Sequence, residues 1–547
     1  MRYDVGRFRR PMRRGAMEQM VSLISLGDGS TLSLDFTAMS SLDSRFTFSR
    51  SSTATFINSS GLVRYADHNL VPNSAFVGSG IGTGWVQNGG GTFTNSGTGS
   101  ITTAVTTSNQ AYVSRTFVTK QGLRYSASVN VTSISGTINY NQVLAVAGSI
   151  SADTFYRNGS VVNASTTAQT GLLTIIFTAG AGGTNTFRSG VGASGTNQTN
   201  VTVVFDSVRA VEGENTQPTY FVSPSGSEYQ APRFDYDPST LVPRGLLLEG
   251  SATNLMTYSE DFNAAAWTDT SITRATGNAD PAGGTTAVRF TASAGNATVI
   301  RAAAIGTSAE RTFSVWLRRV TGTGNIQYTQ NNGTNWTTQA ITSTWTRYTF
   351  THTVDHRVGI RIVTSGDAIE MWGAQLETGS GASSYIPTGA STVQRAADSC
   401  QLTGTNFSSW FNATEGTFLA RGQRRLTSNT GMLLSANDAT NSEAMGLGSS
   451  TTGRWLIRDG GSDVASISPG TVTANTTYRI AGAYAVNDAQ AAFNGTLGTQ
   501  DTSLALPTVN QLDIGRDRVT VYLDGYVELI KYWPTRLPDA QLQAITA

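Results

Sequence analysis

Alternation of apolar and polar residues runs through almost the whole chain. In RTFSVWLRRV (311–320), Phe313, Val315 and Leu317 share one face, while Thr312, Ser314, Trp316 and Arg318 share the other. RYSASVNV (124–131) does the same with Tyr125, Ala127, Val129 and Val131. A period of two over this length marks a strand with one buried face, because successive side chains of an extended backbone point to opposite sides. Gly, Asn and Ser punctuate the runs and supply the tight turns between antiparallel strands. Helical periodicity enters only at the end. There Leu537, Leu542 and Ile545 give one apolar face, and Asp539 in the first turn suits the helix dipole. The expectation is an all-β fold of serial antiparallel β-sandwiches with minimal helix.

The chain also repeats itself. NLVPNSAFVGSGIGTGW (69–85) is echoed by NLMTYSEDFNAAAW (254–267). Each copy then has a strand of the RYSASVNV or RTFSVWLR type and a later strand, GLLTIIFTA (171–179) or WTRYTFTHT (345–353). The closings FDSVRAVEGENTQPTYFVSP (205–224) and IEMWGAQLETGSGASSYIPT (369–388) both set a glutamate eight residues before a tyrosine, Glu212 to Tyr220 and Glu377 to Tyr385. Four echoes in one order imply two copies of one module. The expected organisation is a basic arm (1–24), a β segment for attachment (25–68), module 1 (69–222), a connector (223–253), module 2 (254–398) and a last sandwich (399–547).

Bulk properties narrow the function. Only 13% of residues are charged and the formal net charge is +1, which argues against a nucleic-acid reader with its basic stripe. Aromatics set among Val, Ile and Thr argue against disorder. Cys400 is the only cysteine, so no intrachain disulfide and no cysteine zinc site can form. No apolar run approaches the roughly 18 residues of a membrane span, and no signal peptide is visible; the expectation is a protein made in the cytoplasm, not secreted and not inserted in a membrane. One local exception to neutrality is the N-terminus, where Arg2, Arg7, Arg9, Arg10, Arg13 and Arg14 form an arm suited to docking on an acidic neighbour.

PRFDYDPSTLVPRGLLLEGSATNLMTYSEDFNAAAW, with WGAQLETGSGASSYIPT and VQRAAD after it, resembles a segment common in tailed-bacteriophage virion proteins, where it looks like a carbohydrate-binding-module-type jelly roll. LDGYVELIKYWPTRLPDAQLQAI (523–545) resembles the closing strand and helix of a concanavalin A-like, laminin-G-type sandwich. The resemblance implies a structural virion protein: a tail fibre or appendage, homo-oligomeric, joined to other virion proteins through its N-terminal region and touching host-surface polysaccharide. The alternatives are a capsid, neck or collar decoration protein with purely structural contacts and, less favoured, a polysaccharide-degrading enzyme.

Glycan binding needs an aromatic face for the C–H side of a pyranose and planar polar groups for its hydroxyls, which are costly to bury unpaired. The last sandwich offers loops carrying Trp455, Arg458, Asp459, Asn437, Asp438, Asn487 and Asp488; as a simpler reading, Asn-Asp and Asp-Gly pairs form turns and Trp455 fills a core. Asp438, Glu443, Asp459 and Asp488 are the only acids grouped for calcium, which needs about six to eight oxygens; no other cofactor or metal is expected. His352 and His356 on a strand lie about 13 Å apart, too far to share a metal. No G-x-S-x-G, Walker loop or Cys–His pair is present, so no catalytic residue is assigned and the chain is expected not to be an enzyme.

Overall fold

The computed structural model describes residues 28–547 apart from 44, 67–69, 72–75, 77–79, 83, 98, 120–123, 182, 213–229, 303–308, 354–356, 426–429, 441 and 518–520. The arginines of the N-terminal arm, His68, His356 and Tyr220 lie outside these. The fold is all-β, and among the described residues the strands of its large sheets pair antiparallel.

The two modules share one topology. In module 1 a seven-stranded sheet runs Ser160–Val162, Ile150–Arg157, Gly171–Ala179, Arg124–Ser135, Val201–Glu212, Ile101–Val105, Thr92–Asn95. A four-stranded sheet opposes it: Leu144–Ala147, Thr184–Val191, Ala111–Val118, Val86–Asn88. In module 2 the sheets run Thr346–His352, Arg311–Thr321, Ala368–Thr378, Ala287–Ala292, Ile272–Asn278 and Thr337–Gln339, Ile326–Thr329, Gly359–Ile362, Ala297–Arg301, Trp267–Thr270. Read in chain order, the strands fall in matching places; module 1 adds a hairpin at one edge of its larger sheet, and module 2 adds Thr337–Gln339 at one edge of its smaller sheet.

The repeated opening phrase is a packing device. Phe262 and Trp267 pair at 5.0 Å and Phe76 and Trp85 at 4.7 Å, and all four rings are buried in the cores of their modules. Asn254 is fully buried and staples module 2: its amide donates to the carbonyls of Ala374 and Ile386 and its oxygen accepts from the N–H of Met256 and Leu376. Glu377 holds the turn before Tyr385 by accepting from the Ser383 backbone and hydroxyl at 2.8 and 2.6 Å.

The last sandwich departs from the expected boundaries. Its larger sheet runs Arg233–Tyr236, Pro243–Leu248, Gly525–Trp533, Glu415–Arg424, Thr477–Ala485, Asp488–Phe493, Thr496–Leu497, and Leu32–Asp35 also pairs with Gly525–Trp533. Thr47–Ser49 starts the facing sheet beside Ser399–Thr403. So 25–68 and 223–253 are not a separate segment and connector: both supply strands to 399–547. The reason is burial. Leu32, Leu34, Phe36, Leu246 and Leu248 sit in one core with Phe418, Trp455 and Ile530, and without them the long strand 525–533 would leave one edge unpaired. Leu542, in the C-terminal helix Asp539–Thr546, is buried against Trp533 and Leu419, as the apolar face at the chain end predicts.

A charged cluster lies inside this body. Glu249 and Arg233 are fully buried, and Arg233 donates to Glu249 at 2.6 Å, to Asp398 at 2.6 Å and to the Ser384 hydroxyl at 2.7 Å. Arg425 donates to the other Glu249 oxygen, and Arg395 reaches the Gly250 carbonyl at 2.7 Å. Burial alone would raise the Glu249 pKa; the charges of Arg395, Arg425 and Arg233 outweigh it and hold the carboxyl well below the usual glutamate range.

Two outcomes follow. Leu34→Ala leaves a hole at a fully buried edge-strand position and is expected to cost the last sandwich about 2–4 kcal/mol in urea unfolding, with module 1 unaffected. Glu249→Gln strands buried arginines and is expected to cost on the order of 3–5 kcal/mol. A depressed folded pKa gives stability that is present above the unfolded value near 4.5 and lost as pH falls towards the folded one. The urea midpoint therefore drops below about pH 4.5 in the parent chain, and the drop is smaller in Glu249→Gln.

Candidate functional site

The loops of the last sandwich expected to hold a ligand do not converge into one. Trp455 is 0% exposed and packs on Gly482, where an added Cβ would come within 2.3 Å of the indole; it is core and has no face for a sugar. Asn437 is also 0% exposed, donating to Asp513 at 2.9 Å and accepting from Ala439 and Gln511. Arg458 is bound to Asp463 at 2.7 Å, and Asp488 to Arg536 at 2.9 Å. Asn487 takes a positive φ of 55° and closes a turn on Leu504. Asp438 accepts from Thr440 in the exposed loop.

Of the calcium candidates, Glu443 and Asp459 are neighbours. Burial and the Glu443 charge both push the Asp459 carboxyl up. Glu443 accepts from the backbone N–H of Gly460 and Thr508. Among the described residues no three acids, histidines or cysteines are grouped to hold a metal.

The most aromatic surface of module 2 is also closed. On the outer face of its sheet Trp316, Trp372 and Tyr385 meet edge to face, with centroids 4.7 to 5.4 Å apart. They are 7, 2 and 3% exposed. Val63 and Ile57 from the N-terminal part of the chain pack over them, and Arg64 anchors that cover to the Ala282 carbonyl at 2.6 Å. Beside them Glu370, fully buried, accepts from Arg289 at 2.7 Å and Arg318 at 2.5 Å.

The opposite sheet of module 2 keeps a polar-aromatic face in solvent. Val358, Ile360 and Ile362 point into the core, so Arg361 points out. One row crosses this sheet: Thr338, Gln327, Arg361, Thr298, Thr270. Arg361 donates twice to the Gln327 carbonyl oxygen, its Nε at 2.7 Å, and Gln327 in turn donates to the Thr338 hydroxyl at 3.2 Å. Half-buried Trp336, in the loop after strand Ile326–Thr329, lies with its ring 4.5 Å from the Arg361 guanidinium. Asn332, at φ 58°, and Gly333, at φ 79°, form the turn that brings the indole back over the sheet. Exposed Asn332 and Asn335 flank it. An indole, a planar amide, a guanidinium and hydroxyls on one surface are the groups that saccharide recognition uses.

Neither Trp336 nor Arg361 was singled out by sequence pattern. The available signals were NNGTNW (331–336), turn formers delivering a tryptophan, and the four-residue alternation GIRI (359–362).

No family model matches the chain, and no curated protein matches it. Among solved structures it is similar to the CBM40 of the IT-sialidase of Ruminococcus gnavus, bound to alpha2,3 sialyllactose, with 17% identity, 26% of this chain and 88% of that chain covered and a TM-score of 0.24. It is similar to domain 4 of AbnA, a GH43 extracellular arabinanase from Geobacillus stearothermophilus, in complex with arabinotriose, with 8% identity, 31% and 84% covered and a TM-score of 0.24. The receptor binding domain of botulinum neurotoxin mosaic serotype C/D matches with 14% identity, 27% and 39% covered and a TM-score of 0.22.

Proposed function

We propose that the chain is a structural protein of a tailed-phage virion, a fibre-like appendage that contacts host-surface glycans through the Trp336 face of module 2. The observation that carries the glycan part is the outward-facing row of Gln327, Arg361 and Thr338 beside the Trp336 indole. The ring offers a platform for the C–H side of a pyranose, and the row offers donors and acceptors spaced along a rigid sheet. The virion part rests on the phrases running from PRFDYDP to VQRAAD. Single sugar sites bind weakly, so such a protein works as a homo-oligomer, where linked copies raise the effective affinity. The basic arm then serves as the docking element towards other virion proteins.

A decoration protein of capsid, neck or collar is the second reading. It is favoured by Trp316, Trp372 and Tyr385, the densest aromatic patch of module 2, being used for packing against the chain's own residues 57–63.

Adsorption of the labelled full-length protein to host cells separates these readings. Trp336→Ala is expected to weaken adsorption about tenfold, and purified host polysaccharide to compete. Trp455→Phe is expected to change thermal stability and leave adsorption intact. Adsorption by Trp336→Ala equal to the parent chain, or none by either, overturns the glycan reading in favour of decoration. Release of reducing sugar ends from the polysaccharide indicates the degrading enzyme instead.

A further inference from the structure

The Trp336 face has a counterpart in module 1. Strand Thr184–Val191 occupies the place of Gly359–Ile362 in the smaller sheet, strand Ala111–Val118 that of Ala297–Arg301, and strand Leu144–Ala147 that of Ile326–Thr329. Arg188 stands where Arg361 does. Phe187 and Val191 on its strand point into the core, and the row across the sheet reads Ala145, Arg188, Ser114, Val86. The matching row in module 2 reads Gln327, Arg361, Thr298, Thr270. Here too the guanidinium lies over an aromatic ring, Tyr112, at 5.4 Å, but this ring comes from strand Ala111–Val118 and is buried beneath the arginine. Asn88, an exposed-side amide, donates to the Ser114 hydroxyl at 2.9 Å beside it.

Several arginines of module 2 and the last sandwich have their charge met by a carboxylate, and among the described residues Arg361 and Arg188 do not. Arg289 and Arg318 share Glu370, Arg274 holds Asp269, Arg319 holds Asp367, and Arg233 and Arg425 hold Glu249. Arg361 is bonded to a neutral amide and Arg188 to a ring, and among the described residues neither has a carboxylate partner. A guanidinium fixed on a rigid strand, stacked on an aromatic and without a counter-charge, is a ready partner for a carboxylate, which it meets with two parallel donors.

We infer that each module carries, at an equivalent place, an arginine that receives a carboxylate-bearing saccharide, a stronger site at Arg361 beside Trp336 and a weaker one at Arg188, whose ring partner Tyr112 is buried. This rests on the glycan reading above and deepens it to acidic sugars and to two sites per chain. The weaker affinity in module 1 follows from Ala145 standing where Gln327 orients the other guanidinium.

Calorimetric titration of the full chain tests this with two acidic probes, a galacturonate hexamer and a sialic-acid-terminated trisaccharide, each beside its carboxyl-reduced neutral counterpart. The expected result is two sites per chain for at least one acidic probe, binding at least about tenfold weaker for its neutral form, and weakening at high salt. Arg361→Gln is expected to remove the tighter site and Arg188→Gln the weaker, with unchanged circular dichroism showing that both variants fold. Equal binding of acidic and neutral forms overturns the acidic-sugar inference while leaving the glycan reading standing. Two sites unaffected by either substitution, or a parent chain with a single site that Arg361→Gln removes and Arg188→Gln leaves intact, overturns the duplication. No binding of any of the four probes overturns the inference, and the glycan reading is then decided separately by whether Trp336→Ala lowers adsorption to cells.

Discussion

Glu249 is a fully buried carboxylate whose charge has to be met by protein groups, and much of the architecture follows from meeting that demand. Its neighbours come from three stretches far apart in sequence: Arg233 at the start of the hairpin that precedes it, Ser384 and Arg395 in the closing part of module 2, and Arg425 in the last sandwich. Charged groups at such depth are costly unless every lone pair and proton is satisfied. The cluster therefore tolerates one arrangement of these stretches and penalises others. The phrases from PRFDYDP through LLLEG to VQRAAD contribute Arg233, Glu249, Arg395 and Asp398 to it. What reads in sequence as a signature is in space a lock between module and sandwich.

The second constraint is the strand Gly525–Trp533. One edge is taken by Glu415–Arg424; the other is shared end to end by Pro243–Leu248 and Leu32–Asp35. The last strand of the chain thus sits between partners made much earlier, and contacts of such long sequence separation slow folding because loop closure precedes any gain. The modules, whose strands pair within themselves, do not share that delay.

Much of the fold was legible because alternation is local. Phe313, Val315 and Leu317 are buried as their spacing implies, and the two module copies do share one strand order. Boundaries were not legible, because nothing in LSLD (32–35) says that its partner lies at 529–532. Candidate sites failed for a related reason. Trp455 alternates on a strand, and only the glycine at 482, on a strand packed against it, shows which way the ring faces. Asn437 sits in a loop-like sequence, yet Asp513 and Gln511 draw it inside. Trp336 carries no periodic signal at all; its role depends on where a turn aims it.

Module 2 leaves and rejoins the sandwich through a short two-stranded stem, Ala252–Asn254 paired with Val393–Arg395. Module 2 is thus an insert whose two ends meet. A graft at this stem keeps the core of the sandwich as it is, provided that the new insert brings partners for Glu249 in place of Ser384 and Arg395.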